Sequence, residues 1–525
     1  MKPVKKNSLR GRMASGMHAL AAGVNSMAMS LSGSGYDGGR RDNRRLRSWR
    51  PDGGSASADI LPGLPDLRDR ARDLSRNAPI ALGALQTKVN GVIGPGLRLK
   101  SQIDFKHLGL TRDQAIEKQA QIEREFAIFE RECDFTGLLH WRDMQRLIYR
   151  SARENGDVGI ARRYRPRAGQ TYGTKLVLLE ADRISNPNRG ADTVTVRSGV
   201  SVSVQGRVNG YWISDRHPGD IRLTGLKWQY VPRRGSSGML QFLLPYQHQR
   251  VGQPRGVPIF APIVEHLKQL GDYSTAELNA ALHDAMLFAF EKLGNSEDEN
   301  VITAPEGTGT SADAGELQIE DLAIISLAEG SDVTVKQPQR PNAGFAAFVD
   351  AILRQIGVAL ELPFELLIMH FSASFSASRG ALEIAWKSFL AEKAWFEREV
   401  ADHVYQWFFT EAVALGRIDA PGFFDDPLTR DAWLGNQWIG PTRIQINPQV
   451  EANADKTDLE IGTKTREQII TERTGGDFER KNAQLAHEES ERRDSGITQA
   501  SPPPAAAQYD AGGNPIKGSA ANGGN

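Results

Sequence analysis

The chain has 525 residues, enough for two or three domains and a sizeable core, and its 40% hydrophobic and 24% charged residues are ordinary for a soluble protein. Lys plus Arg number 64 and Asp plus Glu number 64, so overall charge points to no partner and only its distribution is informative. One cysteine, Cys133, excludes an internal disulfide framework or a cysteine-based zinc cluster within one chain, and a reducing compartment is the simplest setting.

Residues 1–50 hold eleven Lys and Arg against two acids, and they read as a basic, flexible arm. Such an arm is either a solvated terminus or an electrostatic contact to nucleic acid. The first is favoured, because no aromatic interleaves the basic cluster Arg40–Arg47 before Trp49. The run Met13–Ser30 loosely mimics an export signal, but His18, Asn25 and several Ser and Gly interrupt it, so export is not expected. No other stretch reaches ~18 uninterrupted apolar residues, so no membrane span is expected.

Apolar spacing predicts helix through most of Leu64–Ile93, with Leu67, Ala71, Leu74, Ala78 and Leu82 three or four apart, ending at the glycines Gly91–Gly96. Further helices are predicted over Thr111–Phe129, capped by Thr111, and over Trp141–Asn155. From Asp157 to Phe242 short β-like runs broken by Gly, Asn and Pro read as an antiparallel sheet. After Gly256 the pattern is helical again, with Pro258–Leu270 and Ala276–Leu293 read as one helix broken or bent near Gly271. A polar segment, Asn295–Gly315, precedes a strand pair, Leu322–Leu327 with Val333–Lys336, and a helix Gly344–Leu360 that Pro363 terminates. Phe364–Ser378 reads as an apolar loop. The longest helix, Arg379–Leu415, would span on the order of 55 Å. A Trp-rich connector (Trp433, Trp438) leads to charged helices over Val450–Glu489, broken at Gly475–Gly476, and a Pro/Ala/Gly-rich tail, Ser501–Asn525, expected to be disordered.

Local catalytic signatures are missing. Gly-Lys does not occur, which removes a phosphate-binding loop of the Walker type; no His-x-x-x-His and no Gly-x-Ser-x-Gly occur either. Scattered carboxylates such as Glu180 with Asp182, or Asp425 with Asp426, could in principle assemble a metal-dependent nuclease. Solvated or capping acids are the preferred reading, and no catalytic residue, metal or cofactor is expected.

The segment Arg183-Ile184-Ser185-Asn186-Pro187-Asn188, preceded by Leu176–Asp182, resembles a characteristic stretch of the lambda-type family of tailed-bacteriophage portal proteins. Other stretches agree in order: Leu46–Trp49, Arg72–Asn77, Gln253–Pro258, Ala377–Ala381, Trp438–Pro441 and Ile446–Pro448. The resemblance covers roughly residues 46–490 and departs from the family pattern at the Gly/Ser-rich Gly294–Gly315.

It implies an α+β subunit of a ring, a dodecameric head–tail connector at one capsid vertex, through which double-stranded DNA enters and leaves. Implied partners are the packaging motor (terminase), major capsid and scaffolding proteins and head-completion or tail proteins. The implied location is the virion, with host cytoplasm during assembly, and no membrane. The resemblance assigns a wing to 51–255, a first stem helix to 256–294, a clip to 295–343, a second stem helix to 344–362 and a tunnel loop to 363–378. The long tunnel helix with further wing is 379–440, a crown 441–495 and a tail 496–525. Implied channel residues are Leu367, Ile368, Met369, His370, Phe371, Ser372, Ser374 and Phe375. An acidic stem (Glu265, Asp272, Glu277, Asp284, Glu291, against Lys268 and Lys292) would keep DNA from sticking. Leu382, Trp386, Phe389 and Trp395 would join subunits along the tunnel helix. The alternatives are a metal-dependent nuclease or a virion scaffold without a channel.

Overall fold

The computed structural model describes residues 44–46, 48–51, 53–220, 225–285, 290–292, 325–327, 344–371, 374–443 and 448–496. Most of the basic arm, nearly all of the expected clip, Ser372 and the tail from 497 lie outside these residues. The chain divides into two units, residues 1–59 and 60–525, and the second holds the architecture that follows.

The body opens with α1 (Leu64–Asn77) and α2 (Pro79–Val92), where one mostly continuous helix was expected. Pro79 explains the break, since a residue before proline is pushed from the helical region, and Ala78 is extended at φ −104°, ψ 109°. Next come β1 (Arg98–Ser101), α3 (Arg112–Glu132) and α4 (Trp141–Asn155). Thr111 caps α3 with a reciprocal bond pair to Gln114, so the predicted start holds to the residue. Trp141, Met144, Ile148, Tyr149 and Ala152 of α4 repeat at helical spacing and are all buried.

The β-rich block forms two antiparallel sheets rather than one. The first joins β2 (Gly159–Tyr164) to β3 (Thr174–Leu179) on one side and β8 (Phe242–Leu243) on the other. The second runs β4 (Val196–Arg197), β5 (Val200–Val202), β6 (Val208–Ser214) and β7 (Trp228–Pro232) in that order. The chain returns to β2 only at β8, so the intervening strands close on themselves. Ala161, Leu179 and Phe242 from the first sheet meet Val200, Tyr211, Ile213 and Val231 from the second in one small core.

Then α5 (Val264–Ala285) runs without a break at Gly271, contrary to expectation. A lone glycine costs a helix about 1 kcal/mol, which Leu267 and Leu270, buried in the main core just ahead of it, can offset. Ile325–Leu327 is a strand (β10), paired in parallel with β9 (Phe290–Lys292); its expected partner Val333–Lys336 lies outside the described residues. After α6 (Phe345–Leu360) comes α7 (Phe364–Leu367), a single helical turn inside the segment read as loop. The long helix follows, starting four residues earlier than expected. It consists of α8 (Phe375–Phe396), a π-helical turn Glu397–Ala401 and α9 (Asp402–Ala414). A π turn inserts a residue and rotates the faces before and after it.

α10 (Pro427–Trp433) and β11 (Asn436–Ile439) lead on, β11 pairing antiparallel with β1 from Arg98↔Ile439 to Ser101↔Asn436. The chain closes with α11 (Pro448–Ile461), α12 (Arg466–Thr474) and α13 (Phe478–Asp494). The predicted break at Gly475 is real, with φ 57° at the end of α12.

Candidate functional site

The stretches singled out in the sequence as Arg183–Asn188 and Gln253–Pro258 meet Arg68 of α1 around one carboxylate, Asp157, between α4 and β2, while Arg72 of a third such stretch bonds the neighbouring Asn155 and Asp182. Arg255 grips it with two bonds, Nε to Oδ2 at 2.7 Å and Nη2 to Oδ1 at 2.8 Å. Arg68 of α1 adds a bond of 3.1 Å, and the Gly256 amide donates at 3.0 Å. The remaining Arg255 hydrogens go to the carbonyls of Ala181, Ile184 and Ser198, each at 2.7 Å. Both Asp157 and Arg255 are wholly buried. Burial pushes the Asp157 pKa up, but Arg255 and Arg68 outweigh it and hold the carboxyl below its ordinary value. Only glycines fit beside this pair: a Cβ on Gly256 would lie 1.9 Å from the Gly156 carbonyl, and Gly156 has φ 91°. The knot ties α1, both sheets and the approach to α5 into one rigid piece.

Glu180 and Asp182, the carboxylates a nuclease could have used, belong to the edge of this knot. Asp182 pairs with Arg72 and Arg68, and His217 Nε2 lies 3.2 Å from Glu180 and 3.3 Å from Asp182. Asp426 caps α10, accepting from Thr429 N at 2.8 Å. Among the described residues no group of three His, Cys, Asp or Glu could hold a metal ion. Cys133 is buried, and burial pushes its thiol well up, which makes it inert.

The long helix is anchored by two buried acids. Glu392 receives Lys88 of α2 at 2.8 Å and Arg153 of α4 at 2.6 Å, with the Tyr149 hydroxyl also donating. Burial raises its pKa, and Arg153 and Lys88 more than reverse this. Glu411, one helical span later, accepts the amides of Gly173 at 2.7 Å and Thr174 at 2.9 Å from β3. Between them Phe396, Val400, Ala401, Val404, Trp407 and Phe408 are fully enclosed. The first half of α8 is different: Ile384 is 67% exposed.

The C-terminal helices are held another way. None of the residues of α11, α12 or α13 is buried. Lys100 of β1 receives Glu467 at 2.9 Å, Asp477 at 2.9 Å and Glu479 at 3.0 Å, and Arg98 donates to the Gly475 carbonyl. Burial lowers the Lys100 pKa, and the three carboxylates raise it by more, so the ammonium stays charged. Lys100→Ala should therefore free this segment while the body melts as before. Proteolysis around Gly462 should accelerate by about tenfold, equivalent to about 1.4 kcal/mol of lost docking; unchanged cleavage would show that the clamp contributes nothing.

Residues 42–393 match the sequence profile described as phage portal protein, lambda family. The chain belongs to the lambda family of phage portal proteins. Two relatives match at 26% identity over 507 residues: the portal protein of Escherichia phage N15, covering 91% of this chain and 94% of the relative, and portal protein B of Escherichia phage lambda, covering 91% and 92%. Similar solved chains include one from the virion of the native gene transfer agent particle, with TM-score 0.38 and 12% identity over 80% of this chain and 94% of that one. Another is from the neck of the empty particle, computed with C6 symmetry, with TM-score 0.40 and 13% identity over 80% and 94%.

The residues expected to matter in a portal subunit separate into groups. Of the expected tunnel loop, Leu367 is only 3% exposed and Ile368 packs on the core, because α7 turns them inward. Met369 and Phe371 are 67% and 50% exposed, and His370 and Ser374 are exposed too. The backbone of Phe375 already belongs to α8. Among the described residues of Phe364–Ser378, exposure thus begins at Met369.

Phe389 lies in the subunit's own core, its ring so close to Gly91 that a Cβ there would sit 2.6 Å from it. Leu382 and Trp386 line a groove of about 350 Å³ with Leu366, Met369 and Phe371. Trp395 is half-buried and donates to the Tyr246 carbonyl at 3.3 Å. Glu265 and Asp272 are exposed seven residues apart on one face of α5, Asp272 paired with Lys268. Glu277 lies about 120° round the helix from Glu265 and Asp284 about 100° round. Glu291 is in β9.

Asp157, Glu392, Glu411 and Lys100 were not singled out from sequence. The usable signal is a single charge inside an apolar helical face, as with Lys88 between Leu85 and Val92 or Glu392 between Phe389 and Phe396.

Proposed function

We propose that this chain is the subunit of a ring-shaped, non-enzymatic channel at one capsid vertex, through which DNA is packaged, retained and ejected. Family membership across residues 42–393 carries this reading. The anchoring of the long helix supports it, since its second half is locked in the body while Ile384 in its first half and Met369 and Phe371 just before it stay exposed.

On this reading residues 51–255 are the wing, 256–294 and 344–362 the stem, 295–343 the clip, 363–378 the tunnel loop, 379–440 the tunnel helix with further wing and 441–495 the crown. The partners are further copies of the chain, as a dodecamer, double-stranded DNA, terminase, capsid and scaffolding proteins, and head-completion proteins. The ring would assemble in the host cytoplasm and remain in the virion. The inter-subunit role of Leu382, Trp386 and Trp395 and the channel role of Met369, His370 and Phe371 belong to the same proposal.

Native mass measurement with averaged particle images tests it. Rings of about a dozen copies that leave DNA intact in magnesium are expected; a monomer that cuts DNA would overturn it. Deleting residues 1–45 should leave ring formation and the number of subunits per ring intact, because that arm lacks core-forming periodicity. Loss of rings in the deletion would give the arm a structural role.

A further inference from the structure

The first half of α8 has an apolar surface on each of two faces. On one, Leu382 and Trp386 line a groove together with Met369 and Phe371, whose side chains are 67% and 50% exposed and can serve as a knob toward a neighbour. On the other, Ala381 and Ile384 with Val358, Leu362 and Phe364 line a second groove of about 570 Å³. Val358 is 81% exposed. At 100° per residue the two sets of α8 side chains are about 150° apart around the axis. A ring built from identical subunits uses heterologous contacts, in which one patch meets a different patch on the next copy. A knob on one side and a hole on the other satisfy that requirement.

Backbone conformation marks the same two places. Five non-glycine residues among those described have positive φ, and two of them are Glu361 at the rim of the hole and Met369 in the knob, each at 54°. Both follow helix ends where glycine would fit without penalty. Such strain, on the order of 1 kcal/mol per residue, persists where a side chain is needed. Charge agrees with shape. The hole carries Glu361, steadied by Ser388 Oγ at 2.6 Å, and Glu365, while its cation Arg354 is occupied over the Phe364 ring at 4.5 Å. On the knob side, Arg379 is exposed one turn before Leu382.

We infer that Met369 and Phe371 of each copy insert into the Val358–Ile384 groove of the next copy, with Arg379 facing the acidic rim, so that the loops are linked into a continuous collar. This rests on the ring reading above and names the contact that reading leaves open. The contact is small beside the area a stable interface buries, so it sets the position of the loops rather than holding the ring together.

Paired cysteines test it. Met369→Cys with Ile384→Cys, oxidised mildly in the assembled ring, should give a denaturant-resistant ladder of covalent oligomers, and neither single variant should. Buried Cys133 does not compete. In a second test, Glu361→Arg together with Glu365→Arg should abolish the ladder, and adding Arg379→Glu should restore it. Rings of normal mass with no ladder, or only an intrachain product, would overturn the contact. A parent protein that forms no ring at all would instead overturn the ring reading itself.

Discussion

Asp157→Asn should destabilise the subunit by about 3–5 kcal/mol, the usual cost of removing one partner from a buried ion pair. The amide keeps the size of the carboxylate but leaves Arg255 enclosed without its paired carboxylate and Arg68 with Asp182 alone at 3.6 Å, and Arg255 cannot reach water. The loss should appear as a lower denaturant midpoint for the body with little change in slope. The pH dependence should change as well. Because the Asp157 pKa is held down in the folded chain, its contribution is complete above the ordinary carboxylate range near ~4 and is lost as pH falls through the folded value. The Asn variant should have lost that part of its acid sensitivity. An unaltered midpoint, or acid unfolding identical to that of the parent, would mean the knot does not hold α5 to the sheets.

Replacing Met369-His370-Phe371 with Gly-Ser-Gly should leave ring and procapsid formation intact and lower nuclease-protected DNA per particle by about tenfold, the factor that 1.4 kcal/mol sets in an equilibrium. Position 369 has φ 54°, so glycine relieves backbone strain there and the subunit fold has no reason to fail. What is lost is a weakly adhesive apolar contact. A cluster of Lys or Arg would bind phosphates tightly and oppose movement, whereas Met and Phe can touch DNA or a neighbouring loop and release it. Particles with normal DNA content and retention would remove the functional role of the loop. Failure to make rings would mean that the loop packs the core.

Much of the body was legible because its signals are local. The capping pair Thr111 and Gln114, the apolar repeat from Trp141 to Ala152 and Gly475 each act within a turn or two of helix. Ala78 was misread because its apolar spacing fits a helix and the proline that breaks it comes one residue later. Gly271 was misread in the opposite sense, since a glycine permits a bend without requiring one. The candidate site was legible as separate stretches but not as a site. That Arg68 touches Asp157, Arg255 touches Asp157 and Arg72 touches Asp182 depends on pairings 89, 98 and 110 residues apart. The contrast between the fully enclosed second half of the long helix and its more exposed start depends on which face the π turn rotates inward, and apolar spacing alone does not reveal it.

The attachment of residues 448–496 through Lys100 gives the subunit two kinds of stiffness. The body resists deformation by close packing, which dissolved ions do not weaken. The C-terminal helices bury no side chain and hang on partly exposed charges. At physiological ionic strength the Debye length is about 8 Å, and it shrinks as ions are concentrated. These helices are therefore a compliant flange on a rigid hub, and their grip is set by the ionic atmosphere around them rather than by the fold beneath.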